Sequence, residues 1–345
     1  MNKIIQIFGI IFGFGILIFI HELGHFIVAK IYKVKILTFA FGFGPSLIEY
    51  NYKDTKYCVK IIPFGGFVSM AGENPNEFTG TEGEYLSLKW YKKILISFSG
   101  PLLNYLLAII LFIIIFNMKG IDVVSMNSSY IGSITKGSYM SKVGIKPGDK
   151  IKTIDDININ TWYDLYFNIR NKVGKRIFIL IDRKGTFFNL DIIIKKKSIV
   201  ITDIMGAKPY ITNLKYGFLK SVYLGIKTPI RQTMISIAYI IDEIISFRKP
   251  EISGPVGVIQ IMSNAAKSGM YDYLKCIAIV SVALGLFNLF PIPMVDGGMI
   301  VLFFIEGIIK RCININVIKI YNTIGLIFIL IIFFFATYID ILRLV

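Results

Sequence analysis

The sequence predicts a helical membrane protein with about four transmembrane helices, a juxtamembrane β-hairpin or small sheet, and one inserted α+β domain. Three observations predict this fold class. Hydrophobic residues make up 54% of the 345 residues and charged residues 17%, below the roughly 25% that is typical of soluble domains. Several stretches have the roughly 20 apolar residues that cross a bilayer core as a helix. One long segment between them is built from short apolar runs of the kind that form strands.

The first apolar segment shows how the spanning helices are recognised. Residues 4–20 carry no charge and continue directly into His-Glu-Leu-Gly-His. This apolar core is longer than that of a signal peptide, and no small-residue cleavage site follows, so we predict a retained helix. Three later segments complete the set. The predicted division of the chain is 1–30 (first transmembrane helix), 31–93 (membrane-associated β region on the cytoplasmic side), 94–118 (second transmembrane helix), 119–200 (inserted domain), 201–271 (linker and amphipathic helices) and 272–345 (third and fourth transmembrane helices).

The segments between the spans differ from one another. Residues 31–93 hold short β-like runs separated by the turn sequences Phe-Gly-Phe-Gly-Pro and Pro-Phe-Gly-Gly. Residues 120–197 contain short strands, one helix and a Lys-Pro-Gly-Asp turn, which together are typical of an ordinary soluble domain. Residues 215–247 are apolar but are interrupted by charges and by Pro229, so we expect a helix that lies on the membrane or packs against the bundle.

The distribution of the net charge of +16 predicts the orientation. The short loops rich in lysine, above all residues 31–93, belong on the cytoplasmic side. Four spans then place both termini and the inserted domain outside the cytoplasm. The remaining positive charge is dispersed without a nucleic-acid-binding module, so we expect the lipid bilayer and no nucleic acid as a partner. The three cysteines are widely spaced and predict neither a disulfide framework nor a cysteine metal site.

The only two histidines of the chain, His21 and His25, flank Glu22 in the sequence His-Glu-Leu-Gly-His. Residues four apart share one face of a helix, so both imidazoles can reach a single ion, with Glu22 beside them to act on a water molecule. Zinc is favoured because it takes nitrogen ligands and activates water. Ionisable groups inside a membrane segment are costly unless they are used or paired, which supports a metal site. The alternative is a motif that is merely solvated at the inner end of the helix.

A catalytic zinc takes three protein ligands and keeps one position open, and no third histidine exists. The candidates are the acids Asp296 and Glu306 and the thiol of Cys276. Asp296 stands out because it follows two prolines that interrupt a helix and precedes two glycines that allow close backbone approach. Irregular backbone at membrane depth is tolerated only where it is buried in protein or lines a cavity. The alternative is that the prolines end the third span and Asp296 caps the next helix.

Together these residues resemble the paired signatures of the site-2 protease family of intramembrane zinc metalloproteases, in particular its bacterial regulator of sigma-E protease branch. The second signature is Asn-Leu-Phe-Pro-Ile-Pro-Met-Val-Asp-Gly-Gly at 288–298, with Val295 where leucine is usual. The resemblance implies that His21, His25 and Asp296 bind Zn²⁺ and that Glu22 is the catalytic base. Further matching stretches are Gly-Phe-Gly-Pro at 42–45, Ile-Pro-Phe-Gly-Gly-Phe-Val-Ser-Met-Ala-Gly-Glu at 62–73, Ser-Gly-Pro-Leu-Leu-Asn at 99–104 and Ser-Gly-Pro-Val-Gly at 253–257.

The resemblance also implies that Asn104 and Asn288 hold the substrate backbone, and we expect Pro291 and Pro293 to belong to the same binding stretch. An asparagine in a span offers a donor and an acceptor to an unwound strand, although it equally suits hydrogen bonding between helices. We further expect the hairpin within 31–73 to pair with substrate as an added strand, because a transmembrane helix must unfold before its amides are reachable.

Residues 120–197 resemble a PDZ domain through Gly-Ile-Lys-Pro-Gly-Asp-Lys-Ile at 144–151 and through Trp162. Such a domain implies a peptide ligand as a partner. The alternative is a size filter that keeps proteins with bulky outer domains away from the active site.

The predicted function is therefore a zinc-dependent intramembrane endopeptidase of the bacterial inner membrane. We expect its PDZ-like domain to be extracytoplasmic and its active site to lie near the cytoplasmic face. Its expected substrates are single-span membrane proteins, such as an anti-sigma factor, or remnant signal peptides. One alternative is a catalytically silent PDZ-bearing membrane scaffold, which would be marked by loss of Glu22 or of a ligand. Another is a metal transporter, which would show more intramembrane acids and an internal repeat. Neither pattern is present in the sequence.

Overall fold

The protein is described by a computed structural model that covers residues 3–135, 137–170, 172, 174–193, 206–246 and 254–344. The lysine run at 195–197 and Ser253 lie outside the described residues. The chain divides into two compact units, the first formed by Met1–Asn117 with Gly217–Val345 and the second by Met118–Tyr216.

In chain order the described helices are α1 (Lys3–Ile31), α2 (Trp90–Met118), α3 (Tyr139–Lys142), α4 (Trp162–Arg170), α5 (Phe218–Ser246), α6 (Pro255–Ser268), α7 (Met270–Asn288), α8 (Asp296–Ile309) and α9 (Ile315–Leu344). The described strands are β1 (Ile36–Tyr52), β2 (Thr55–Met70), β3 (Ile121–Val124), β4 (Ile131–Ile134), β5 (Lys150–Ile154), β6 (Ile157–Asn158), β7 (Arg176–Arg183), β8 (Thr186–Ile193), β9 (Ala207–Pro209) and β10 (Ile211–Leu214).

Four helices in the described part of the chain are long and apolar enough to cross a membrane. They are Gly9–Ile31 of α1, Trp90–Met118 of α2, Met270–Asn288 of α7 and Ile315–Leu342 of α9. Large apolar side chains are exposed along all four helices, as expected of surfaces that face lipid rather than water. Together with the β-rich segment and the inserted α+β unit, the four helices confirm the predicted fold class.

The helices α1 and α2 approach each other closely at small residues. Gly24 of α1 lies against the backbone of Ser99 and Gly100 in α2, and a side chain at Gly24 would collide with the Ser99 carbonyl. Small residues are the usual means by which membrane helices bring their backbones together. This contact accounts for the small residues Ser99 and Gly100 in the Ser-Gly-Pro stretch of α2. The proline of the stretch, Pro101, lies inside the helix.

The helix break expected around the two prolines is present between α7 and α8. The first helix ends at Asn288, and the second begins at Asp296. Side chains at Gly297 and Gly298 would collide with the carbonyls of Leu289 and Ile292. The glycine pair therefore lets the start of α8 pack directly on the backbone of the irregular loop.

The strands β1 and β2 form both a hairpin and a small sheet. Each strand bends at the predicted turn sequences, where Gly42, Gly44 and Gly65 have positive φ angles. Because of these bends, the first part of β1 pairs with residues 56–59 on one side and with residues 66–70 on the other. The segment 66–70 consequently forms an edge of the sheet.

The apolar segment with interrupting charges forms the single helix α5, which packs on α2. Gly225 of α5 lies against Ile113 of α2, where a side chain at position 225 would not fit. Further along, the Tyr105 and Thr233 hydroxyl groups hydrogen bond at 2.8 Å. The helix α5 thus contacts the bundle at these positions, and its placement relative to the membrane stays a prediction.

Two acidic side chains of the first unit are buried with specific partners. The Glu306 carboxylate of α8 accepts two hydrogen bonds from the Lys93 ammonium of α2, at 2.7 and 2.8 Å, and both side chains are almost fully buried. The Asp340 carboxylate of α9 accepts hydrogen bonds from the backbone N–H groups of Gly254 and Gly257 at the start of α6. A carboxylate is well placed there because helix N-termini carry unpaired donors.

The second unit is built on a four-stranded antiparallel sheet in the order β6-β5-β7-β8. Its core contains the side chains of Trp162 and Leu165 from α4 packed with isoleucines of β5 and β7. The strands β9 and β10 pair with β4 and β3. These pairings extend the unit to Tyr216, past the predicted boundary at residue 200.

The Lys-Pro-Gly-Asp turn of this unit is held by a buried carboxylate. Asp149 accepts hydrogen bonds from the Arg183 guanidinium at 2.7 and 2.8 Å and from the Lys146 N–H group at 2.8 Å. Burial raises the pKa of the Asp149 carboxyl, but these hydrogen bonds outweigh burial and hold the pKa below its usual value.

Replacing Glu306 by leucine is expected to lower the free energy of unfolding by about 3–5 kcal/mol, because the Lys93 ammonium is left buried without a counter-ion. The double variant Lys93→Met/Glu306→Leu removes both charges and should recover most of this loss. Thermal unfolding of the detergent-purified variants measures the difference. A double variant that is no more stable than Glu306→Leu would contradict the pairing.

Replacing Asp149 by asparagine is expected to destabilise the second unit by about 1–3 kcal/mol, because buried donors lose their acceptor. Limited proteolysis of the full-length chain at neutral pH should detect faster cleavage within 118–216. Since the folded-state pKa of Asp149 is lowered, its stabilisation holds above the unfolded-state pKa and is lost as the pH falls through the folded-state value. Asp156→Asn, at an exposed position, is the control, and equal resistance of both variants would refute the role of Asp149.

Candidate metal centre

The two histidines of α1 point their Nε2 atoms at the same place. One helical turn separates His21 from His25, both side chains are buried, and their Nε2 atoms are 3.2 Å apart. The Nδ1 atom of His25 lies 2.7 Å from the carbonyl of Ile96 in α2, to which it donates as N–H. Because the proton is on Nδ1, the Nε2 atom keeps a free lone pair. This is the arrangement found in metal-binding histidines.

The first residue of α8 completes this cluster. One carboxylate oxygen of Asp296 lies 3.1 Å from Nε2 of His21, and the other lies 3.4 Å from Nε2 of His25. The three side chains offer ligand atoms that all lie within 4.8 Å of one another. Two nitrogen donors and one carboxylate suit zinc, which in catalytic sites takes three protein ligands and leaves one position open.

The other two candidates for the third ligand lie elsewhere. The Glu306 carboxylate is occupied by Lys93. Cys276 belongs to an apolar cluster with Leu17, Met262 and Ile277. Among the described residues, Asp296 is thus the acidic or thiol side chain that joins the two histidines in one group.

The backbone of α2 leaves room for an ion beside the histidines. A side chain at Gly100 would collide with Nε2 of His25 and would lie 2.8 Å from Nε2 of His21. The absence of a side chain at this position keeps the space in front of both ligand atoms open. The residues present therefore fit a metal ion.

Glu22 lies on the sheet side of the cluster. Its Oε2 atom accepts a hydrogen bond of 3.1 Å from the backbone N–H of Val68 in the edge segment of β2. The side chain also lines a cavity of about 260 Å³ together with His25 and Asp296. A carboxylate that is held beside the metal ligands and open to a cavity is placed to exchange protons with a molecule bound there.

The residues expected to hold substrate lie in different surroundings. Asn104 is fully buried on α2, and its side-chain amide contacts Nδ1 of His21. Asn288 is half-buried at the end of α7, and the loop after it contains Pro291, which is exposed, and Pro293, which is half-buried. The structure thus brings Asn104 to the metal ligands and places the other three at the helix break that leads to Asp296.

Several residues that surround the site have no role predicted from the sequence. Gly100, Glu73 and Asn322 are the main examples: the first faces the ligand atoms, and the other two line the cavity. Glu73 accepts a hydrogen bond from the Met70 N–H group, and Asn322 Oδ1 is buried without a hydrogen-bond partner among the described residues. A polar residue within the last apolar span was the available signal for Asn322.

Comparison with known proteins agrees with this geometry. Several relatives carry the name "putative zinc metalloprotease", and two of them are similar to this chain over nearly its whole length. One, from Clostridium acetobutylicum, is 32% identical over 343 residues and covers 96% of each chain. The other, from Campylobacter jejuni, is 32% identical over 344 residues and covers 95% of this chain and 91% of the relative. Zinc metalloprotease RasP of Geobacillus kaustophilus is 26% identical over 389 residues, with 88% of this chain and 90% of RasP covered.

A solved PDZ domain of an SdrC-like protein from Listeria monocytogenes matches 27% of this chain and 93% of its own, with 22% identity and a TM-score of 0.19. The family model described as peptidase family M50 matches residues 9–332, which include the histidine motif, the helix break and both units. On the extent of this match and the identity to its relatives, the chain belongs to peptidase family M50.

Proposed function

We propose that this zinc metalloprotease hydrolyses peptide bonds within the membrane-spanning segments of single-span proteins. The observation that carries the proposal is the position of the catalytic group. His21, Glu22 and His25 lie inside a helix long and apolar enough to cross the membrane, and Asp296 meets them between two further apolar helices. Substrates that reach such a site come from the bilayer rather than from water.

The residues of the site divide the chemistry between them. His21, His25 and Asp296 would hold the zinc ion, which when bound would polarise the substrate carbonyl and lower the pKa of water. Glu22 takes the proton of the attacking water and returns it to the leaving amine. The Val68 N–H group fixes the Glu22 carboxylate in position through its hydrogen bond.

The edge segment 66–70 of β2 is the proposed docking strand for the unwound substrate. Its inner side pairs with the first part of β1, whereas the backbone N–H groups of Val68 and Met70 are directed to carboxylates of the cavity, Glu22 and Glu73. A substrate strand added along this edge would run past Glu22. Asn288 and the loop with Pro291 and Pro293 supply the opposite side of the proposed binding stretch.

The proposed topology follows from the lysine-rich loops. The hairpin and the metal centre lie near the cytoplasmic face of a bacterial inner membrane, and the second unit lies outside. As a PDZ-like domain it either binds peptide ends or excludes proteins with large outer domains. Anti-sigma factors already trimmed on the outside and remnant signal peptides are the proposed substrates, because each presents a short outer segment.

Replacing Glu22 by glutamine is expected to keep zinc binding and to lower the rate of cleavage by about 10²–10⁴-fold, because the proton acceptor is lost while the three ligands remain. Tagged single-span proteins co-expressed with the variant should accumulate uncut, and those that the wild type cleaves are the substrates. Glu82→Gln, at an exposed position of the loop after β2, is the matched control. Cleavage by Glu22→Gln at the wild-type rate would overturn the mechanism.

Replacing Gly100 by alanine is expected to yield folded protein with little zinc, because the added methyl group enters the space in front of both Nε2 atoms. Metal analysis of the purified variant measures the loss. Gly217→Ala is the control, since no other described residue apart from its chain neighbours comes within 4 Å of a side chain added there.

Replacing Asp296 by alanine should also lower the zinc content, because one of the three proposed ligands is lost. An unchanged zinc content in Asp296→Ala would remove this residue from the ligand set.

A further inference from the structure

The side chain of Asn104 is held against a metal ligand instead of facing the open cavity. It is fully buried, and its amide nitrogen Nδ2 lies 3.1 Å from Nδ1 of His21. The backbone carbonyl of Asn104 accepts a hydrogen bond of 2.8 Å from the Ser281 hydroxyl of α7. Ser281 thus anchors the backbone of Asn104 to α7, while the side-chain amide contacts His21 of α1.

When a histidine binds a metal, the position of its remaining proton decides whether the oxygen or the nitrogen of the Asn104 side-chain amide should face the ring. A neutral histidine that binds an ion through Nε2 carries its proton on Nδ1 and needs an acceptor there. For His25 that acceptor is the Ile96 carbonyl. For His21 the group in contact with Nδ1 is the amide of Asn104, whose nitrogen end can only donate.

After a half turn of the side-chain amide about the Cβ–Cγ bond, the Oδ1 atom of Asn104 faces Nδ1 of His21 and can accept its N–H group. This turn exchanges Nδ2 and Oδ1 and moves no other atom, and the two ends are alike in shape, so the hydrogen-bond network decides between them. Among the described residues Oδ1 has no hydrogen-bond partner at its present position, so the turn breaks no hydrogen bond of the oxygen with them.

We propose that Asn104 is a positioning residue for the zinc ligand His21, and that its side-chain oxygen accepts the Nδ1–H group whenever Nε2 binds the ion. The inference rests on the proposed function, since it presupposes that His21 binds zinc. Through this bond Asn104 orients the imidazole and selects the tautomer that can act as a ligand.

The net charge of the site explains why an amide is suitable at this position. Zinc would bring two positive charges, and the site already holds the carboxylates of Glu22 and Asp296, with Glu73 lining the same cavity. A further carboxylate at position 104 would add a negative charge buried at membrane depth, which lowers the stability of the fold. The amide oxygen supplies an acceptor without adding charge.

The experiment measures zinc affinity of the full-length protein in detergent, by competition with a chromogenic zinc chelator at fixed pH. Asn104→Leu keeps the size of the side chain but removes the acceptor, and zinc binding is expected to weaken about 10–100-fold. Asn104→Asp restores an acceptor and should bind zinc at least as tightly as the wild type. Asn264→Leu, the same change at an exposed asparagine of α6, should leave zinc affinity unchanged.

Each outcome separates the inference from the proposed function. A wild-type protein that binds no zinc would refute the proposed function itself. Wild-type affinity in Asn104→Leu, or an Asn104→Asp variant as weak as Asn104→Leu, would overturn the inference and leave the function standing. If Asn104→Leu does not fold, Asn104→Ala removes the same acceptor without a branched side chain, and its zinc affinity is then decisive.

Discussion

The close contact between α1 and α2 is the interaction on which the rest of the site depends. It is made possible by Gly24 and Gly100, which lie where any side chain would collide with backbone or with an imidazole. At this distance the carbonyl of Ile96 reaches Nδ1 of His25, and the amide of Asn104 reaches Nδ1 of His21. Both histidines are therefore oriented by α2, although both are carried by α1.

A second constraint concerns the charged side chains of the first unit. A membrane interior tolerates ionised groups only when they are paired. The carboxylate of Glu306 is matched by Lys93, and that of Asp340 by the free N–H groups at the start of α6. These pairs hold helices together. The carboxylates of Glu22, Glu73 and Asp296 line the cavity beside the histidines, and the proposed mechanism uses Glu22 and Asp296.

The bent hairpin joins the catalytic helix to the region where a substrate would bind. Its bends at glycines fold two long strands into a sheet and leave the segment 66–70 at an edge. The same edge donates a backbone hydrogen bond to Glu22. In the proposed mechanism, substrate docking and the orientation of the Glu22 carboxylate thus depend on one strand, which ties the position of a bound peptide to the position of the base.

Local patterns in the sequence were sufficient to predict the four spans, the pairing of His21 with His25 and the helix break, because length, helical period and proline are local properties. The third ligand could only be narrowed to Asp296, Glu306 and Cys276, since a contact between distant segments depends on how helices pack. The tertiary structure favours Asp296 as the proposed third ligand, since it brings Asp296 to both histidines and places Lys93 against Glu306 and an apolar cluster around Cys276. It likewise decided that Asn104 faces a metal ligand, because only packing sets where a buried amide points.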